Sequence, residues 1–243
     1  MLNTSKKGKA IAVNGDAELL FIDGSDFTKE KNELKFPKGM ILPPVEKGER
    51  EVIYIAGPSG VGKSTLAKDY IKAYQKLHKK NDIYLFSKVT DDETLKGLKN
   101  IFKIPINEQI VTDPIDHTEM KDSLVLFDDI DTINNKAQSQ ALTQLISDVL
   151  EIGRHANISV IITSHLINGH DKKRSRTILN EAHRTVIFPR STTAHNVSYF
   201  LKEYLGLKDK ELLKRIMDLK TRWVCLSQRY PMYALTRDEA FCL

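Results

Sequence analysis

Residues 57–64 read GPSGVGKS, with an apolar, β-branched run, EVIYIAG, leading into them and a helical pattern leading out. Gly57, Gly60 and Gly62 make this stretch too pliable for the interior of a strand or a helix, so it reads as the loop that joins the two. Beyond it, Leu66, Tyr70, Ile71, Tyr74 and Leu77 recur at helix spacing, which predicts a helix from Ser64 to about Lys80. A strand, a glycine-rich loop and a helix N-terminus in this order make a cradle for phosphate. Backbone N–H groups can curl around a phosphate chain with no Cβ in the way, and the helix start adds its positive end. In the pattern GxxxxGK[ST], the Lys63 ammonium reaches the β- and γ-phosphates and the Ser64 hydroxyl ligates Mg²⁺. The expected nucleotide-binding residues are Gly57, Pro58, Ser59, Gly60, Val61, Gly62, Lys63, Ser64 and Thr65.

From Glu51 onward, short apolar runs alternate with helical stretches. DIYLF, SLVLF, ISVIIT and TVIF have the continuous apolar character of strands buried on both faces. Between SLVLF and ISVIIT, Leu142, Leu145, Ile146, Val149 and Leu150 mark a helix over about Lys136–Arg154. This alternation predicts an α/β fold, a three-layer sandwich with a mostly parallel central sheet. Residues 1–50 differ. Short β-type runs (Ala10–Val13, Leu19–Ile22, Met40–Leu42) are broken by Gly, Asp and the Pro43-Pro44 pair, so they read as a small β-rich arm. The expected division is 1–50 for this appendage and 51–243 for the main domain, joined near Pro43–Arg50. Residues 222–236 read as two short strands around Tyr230-Pro231.

A phosphate cradle needs a carboxylate to hold its metal, and SLVLF runs directly into Asp128 and Asp129. Asp128 is the expected Mg²⁺ partner. Asp129 stands where many ATPases keep a Glu that polarises the attacking water, one methylene longer than Asp. Asp131 reads as a helix-initiating or surface acid. The run ISVIIT ends in Ser164-His165, at the sheet edge where open α/β sheets bind their ligands. His165 is expected either to sense the γ-phosphate, with Ser164 assisting, or to be structural. Arg154 follows the helix after the acids. It serves either at a subunit interface or as a cation on the helix dipole, with Arg174, Arg176 and Arg184 as rivals.

Charge and composition narrow the partners. Residues 172–222 hold 13 Lys/Arg and 5 Asp/Glu in a chain whose net charge is +5, so the remainder is slightly acidic. The run Lys172-Lys173-Arg174-Ser175-Arg176 reads as a basic loop open to a polyanion. Two cysteines, Cys225 and Cys242, neither in a CxxC pair, exclude a disulfide framework and a zinc finger and fit a reducing compartment. No apolar run approaches the roughly 18–20 residues that span a bilayer, and none follows the basic N-terminus as in a signal peptide. The expectation is a soluble, cytoplasmic protein without membrane partners.

Three segments taken together, GPSGVGKST, LVLFDDID and GRHANISVIITSH with the basic stretch and ILNEAHRTVIF after it, resemble the genome-packaging ATPases of large DNA viruses. Those belong to the FtsK/HerA branch of additional-strand, RecA-like P-loop ATPases, and the likeness is nearest to the poxvirus-like packaging branch. It covers roughly Glu51 to Phe188. It implies ATP and Mg²⁺ as cofactors and a homo-oligomeric ring that pumps double-stranded DNA into a capsid. It also implies possible capsid or portal partners, and a place in the host cytoplasm, a viral factory or the virion. It assigns catalytic roles to Lys63 and Asp129 and a trans-acting role to an Arg such as Arg154. Two positions depart from the family pattern. Asp129 replaces the common Glu, and Ser164-His165 replaces the Gln that usually ends the sensor strand. A nucleotide-dependent switch, or a phosphotransferase acting on a small acceptor, is the alternative function.

Overall fold

The structure is a computed structural model, and it describes residues 8–14, 18–22, 33–35, 42–44, 49–89, 93–95, 97–169 and 171–243. Strands β1 (Lys9–Val13), β2 (Leu19–Ile22) and β3 (Glu33–Lys35) precede β4 (Val52–Ala56) and helix α1 (Lys63–Leu77). Then come β5 (Ile83–Ser87), β6 (Ile101–Pro105), α2 (Gln109–Thr112), β7 (Leu124–Phe127), α3 (Lys136–Glu151), β8 (Ser159–Ser164), α4 (Lys172–Glu181) and β9 (Arg184–Ile187). Helices α5 (Ala194–Glu203) and α6 (Lys210–Asp218) and strands β10 (Val224–Ser227), β11 (Tyr233–Leu235) and β12 (Glu239–Cys242) complete the order. Part of the Met40–Leu42 run and of the Pro43–Arg50 join lies outside the described residues.

Ten strands form one sheet in the order β3-β12-β11-β10-β9-β4-β8-β7-β5-β6. The six from β9 to β6 are parallel, and β10, β11, β12 and β3 extend the sheet antiparallel. The expected α/β sandwich with a mostly parallel sheet is therefore what forms. Because successive side chains of a strand point to opposite faces, β4 feeds two cores. Val52, Tyr54 and Ala56 pack with α3, α4, α5 and α6, while Ile53 and Ile55 pack with α1 and the β1–β2 pair. The α3 stripe of Leu142, Leu145, Ile146, Val149 and Leu150 is wholly buried. At about 1.5–3 kcal/mol for each such side chain, packing rather than helix propensity holds α3 on the sheet.

The basic run beginning at Lys172 is not a loop, as its composition suggested. It opens α4, because the Asp171 carboxylate caps the helix by accepting from the Arg174 N–H at 3.0 Å. Apolar residues do not enter α4 until Ile178, so its helical period is hidden behind charge. Arg174 turns inward and is buried against Ser139 and Thr143 of α3, leaving Lys172, Lys173 and Arg176 exposed.

Candidate active site

In a parallel sheet the loops at the C-terminal strand ends share one edge, and three such loops meet here. β8 lies between β4 and β7, so the loops after these three strands are neighbours. The loop after β4 carries Gly60 at φ 76° and Gly62 at φ 107°, a region L side chains rarely adopt. A Cβ at Gly57 would lie 2.6 Å from the Phe188 ring, so close packing demands glycine there. The turn is anchored to the sheet by the Gly57 N–H donating to the Ser164 carbonyl at 3.0 Å. It is clasped from outside by Arg222, whose Nε donates to the Val61 carbonyl at 2.8 Å.

Lys63, the first residue of α1, is only 6% exposed. Its Nζ donates to the carbonyls of Gly57 at 3.1 Å and Pro58 at 3.4 Å, and lies 3.4 Å from Asp129 Oδ1. Behind the acids stands Thr163, the fifth residue of β8. Its hydroxyl donates to Asp128 Oδ1 at 2.7 Å and accepts from the Asp129 N–H at 2.8 Å. Asp129 has left-handed backbone, φ 45° and ψ 51°, a strained state for a non-glycine residue. The Thr163 contact to its N–H helps hold it there, and the turn aims its carboxylate at Lys63.

His165 joins the same edge. The Asp131 carboxylate accepts from the His165 backbone N–H at 2.9 Å and faces Nδ1 at 3.2 Å. That grip sets the ring so that Nε2 lies 3.8 Å from Asp129 Oδ2. Asp131, read from sequence as a helix-initiating or surface acid, does lie in a short 3-10 turn, Ile130–Thr132, but it is not on the surface: its side chain is 10% exposed and supports His165. The Ser164 hydroxyl bonds the Leu166 carbonyl at 3.0 Å and so shapes the turn after β8.

The oxygen donors Ser64 and Asp128 are hard ligands suited to Mg²⁺, which is usually held by one or two protein groups together with substrate phosphates. Asp128 is buried at a strand end, with Thr163 occupying one oxygen. No group of three or more metal-ligating side chains occurs among the described residues, and this mode of binding needs none.

Arg154 is not brought to this edge of its own chain. It sits in the turn between α3 and the start of β8, at the opposite end of a six-residue strand about 20 Å long. There it lines a cleft of about 600 Å³ with Arg50, Glu181, His183 and Arg229. Arg184 lies at the same end, buried in an ion pair with Glu51. Burial alone would raise the Glu51 pKa, but Arg184 and His183 outweigh it and hold the carboxyl below its ordinary range. His183 is itself pushed down by burial, more than Glu51 can raise it.

Thr163 and Arg222 are site residues that the sequence reading did not single out, and Asp131 is one that it read only as a helix-initiating or surface acid. For Thr163 there was a signal, a hydroxyl closing an apolar strand just before Ser164-His165. For Arg222 there was none, since 161 residues separate it from its partner Val61.

A family model described as an AAA domain matches residues 49–193. Uncharacterized protein V3 of Sputnik virophage is 44% identical over 234 residues, covering 96% of this chain and 90% of that protein. Among solved structures, B204, the DNA-packaging ATPase of Sulfolobus turreted icosahedral virus, superposes with a TM-score of 0.52 at 16% identity, over 74% of this chain and 93% of its own. The pCW3 conjugation coupling protein TcpA, solved as a monomer with ATPgS, gives 0.57 at 12% identity, over 89% and 68%. At these identities the two structures establish the fold. No described helix is long and apolar enough to cross a membrane.

Proposed function

Because this chain belongs to the AAA domain family, with a P-loop that binds nucleotide, we propose that it is an ATP-hydrolysing motor that moves double-stranded DNA, packaging a viral genome into a capsid. The observation that carries this reading is the insertion of β8 between β4 and β7. It brings Lys63 and His165 each within 4 Å of Asp129 along one edge. The groups gathered around Asp129 are suited to handling water.

In this reading the loop from Gly57 to Thr65 binds the phosphate chain, and Lys63 turns its charge from the loop carbonyls to the β- and γ-phosphates. Ser64 and Asp128 would hold Mg²⁺, which neutralises phosphate charge when bound. Asp129 polarises the attacking water. Its shorter side chain is offset by the left-handed turn and by His165. With Nδ1 donating its hydrogen bond to Asp131, Nε2 faces Asp129 at 3.8 Å, where the two could share one water. The roles of Lys63, Asp129 and His165 are thus catalytic, and Asp131 is a positioning residue. Arg154, remote from its own phosphate site, acts on the γ-phosphate of a neighbouring subunit in a homo-oligomeric ring. Capsid or portal proteins and a location in the infected host's cytoplasm, in a viral factory or on the virion follow from the packaging role.

Steady-state ATP hydrolysis with and without long duplex DNA tests the proposal. Stimulation by DNA supports the motor. Nucleotide binding without turnover identifies a switch instead, and transfer to an acceptor identifies a kinase.

A further inference from the structure

Beside the active site, α4 and α5 enclose a cleft of about 430 Å³. From α4 it is lined by Lys172 and Arg176, four residues apart and so on one helix face. His195, Asn196 and Tyr199 face it from α5 at helix spacing, with Tyr204 just beyond. Lys172, Arg176 and His195 are exposed, and Tyr199 is 44% exposed although an aromatic ring of that size normally seeks cover. Tyr199 meets Tyr204 edge to face at 6.3 Å. No carboxylate lines the cleft among the described residues. Cations, amide and phenol hydroxyl groups without an opposing acid are the chemistry that binds phosphodiesters, whose oxygens take charge and hydrogen bonds together.

The cleft is also wired to the active site. The segment after β8 runs from His165 to Gly169, whose N–H donates to Ser175 Oγ at 2.9 Å. Ser175 is buried on α4 next to Arg176 and one turn from Lys172. The path from His165 to the helix that carries the two cations is thus four residues and one hydrogen bond long. The neighbouring groove between α5 and α6 also carries lysines, Lys208 and Lys210 among them, but it includes Glu203 and Asp218. Among the described residues it has no such hydrogen bond to the segment after β8.

We infer that the α4–α5 cleft is the surface that grips the backbone of duplex DNA, with Lys172 and Arg176 as its phosphate contacts. This rests on the motor reading and extends it to particular residues. Binding of a random-sequence 40-base-pair duplex is measured from about 50 to 300 mM KCl for the parent, for Lys172→Ala/Arg176→Ala, and for Lys208→Ala/Lys210→Ala as a charge-matched control. Each phosphate neutralised contributes about −0.9 to the slope of log K against log salt. The cleft variant should lose about 1.8 from that slope per engaged subunit, which is about sixtyfold in affinity near 0.1 M salt. Its thermal unfolding midpoint should stay at the parent value, since both side chains are exposed. The control pair should keep the parent slope. A cleft variant with the parent slope, or a control that loses as much, overturns the assignment while the motor reading stands. A parent that binds no duplex overturns both.

Discussion

Replacing Thr163 by valine keeps the shape behind the two acids and removes only the hydroxyl. That hydroxyl is hydrogen-bonded to the Asp128 carboxylate at 2.7 Å and to the Asp129 amide at 2.8 Å. A hydrogen bond to a charged group contributes about 1.5–3 kcal/mol, and an amide left buried without an acceptor costs about 1–3 kcal/mol more. If the turn stays as it is, Thr163→Val loses about 2.5–6 kcal/mol from these two sources together. The alternative is relaxation. The left-handed backbone of Asp129 stores on the order of 1–3 kcal/mol, and releasing it lets the amide reach water. The net loss then falls to at most about 2 kcal/mol. Relaxation is cheaper, so the variant should take that course, and the Asp129 carboxylate should leave its place 3.4 Å from Lys63. Urea unfolding should show this modest loss with an unchanged m value. Turnover should drop about a hundredfold, the usual consequence of misplacing a catalytic group by an ångström, with the KM for ATP little changed. Thr163→Ser, which keeps the hydroxyl, should recover most of the rate. A valine variant that hydrolyses ATP at the parent rate would refute the claim that this contact positions Asp129.

Asp128→Asn should weaken Mg²⁺-dependent nucleotide binding, whereas Asp129→Asn should leave binding intact and slow hydrolysis. Titration of both variants with a fluorescent ATP analogue separates the two, and identical behaviour contradicts the division of roles. Asp131→Ala should lower kcat, and the double variant with His165→Ala should be no slower than His165→Ala alone. Additive losses would mean that Asp131 does not act through His165. At the far end of the sheet, Glu51→Gln leaves Arg184 buried without its anion and should cost about 3–5 kcal/mol in urea unfolding at pH 7. His183 and Glu51 both bind protons less readily folded than unfolded, from ordinary values of 6.5 and 4.5. Their stabilisation is therefore complete at neutral pH and is lost as pH falls, from His183 first and from Glu51 at lower pH. A protein equally stable at pH 7 and pH 5 would contradict the His183 part. Lastly, inactive Arg154→Ala subunits mixed with inactive Lys63→Ala subunits should regain ATPase activity. Hybrid rings without any regain would make Arg154 structural.

The parts of this molecule legible in its sequence are those set by local chemistry. GPSGVGKS requires a loop because Gly60 and Gly62 adopt positive φ, and SLVLF and ISVIIT require buried strands because they contain no outward polar face. The helix period of α1 and α3 was visible for the same reason, since each has one apolar stripe and one solvated side. The parts that escaped are set by contacts between distant segments. Arg222 reaches the phosphate loop only because α5, α6 and β10 bring it back to β9. Strand β3, three residues long, is defined by pairing with β12 near the other end of the chain. The α4 helix was hidden by an opening run of polar residues, Arg174 included, whose inward turn only the packing on α3 decides. Asp131 illustrates the same limit within the site. Its spacing from Asp128 marks it as another acid of a cluster, and only the fold of β8 beside β7 puts His165 within its reach.

Whether hydrolysis at the Lys63–Asp129–His165 edge is spent on moving along DNA is tested most directly by following displacement of a fluorescent third strand from a triplex placed at the end of a long duplex. Displacement should require hydrolysable ATP, slow with a longer duplex lead-in and vanish in Lys63→Ala. Vigorous DNA-stimulated hydrolysis by the parent with the third strand left in place would contradict the motor reading.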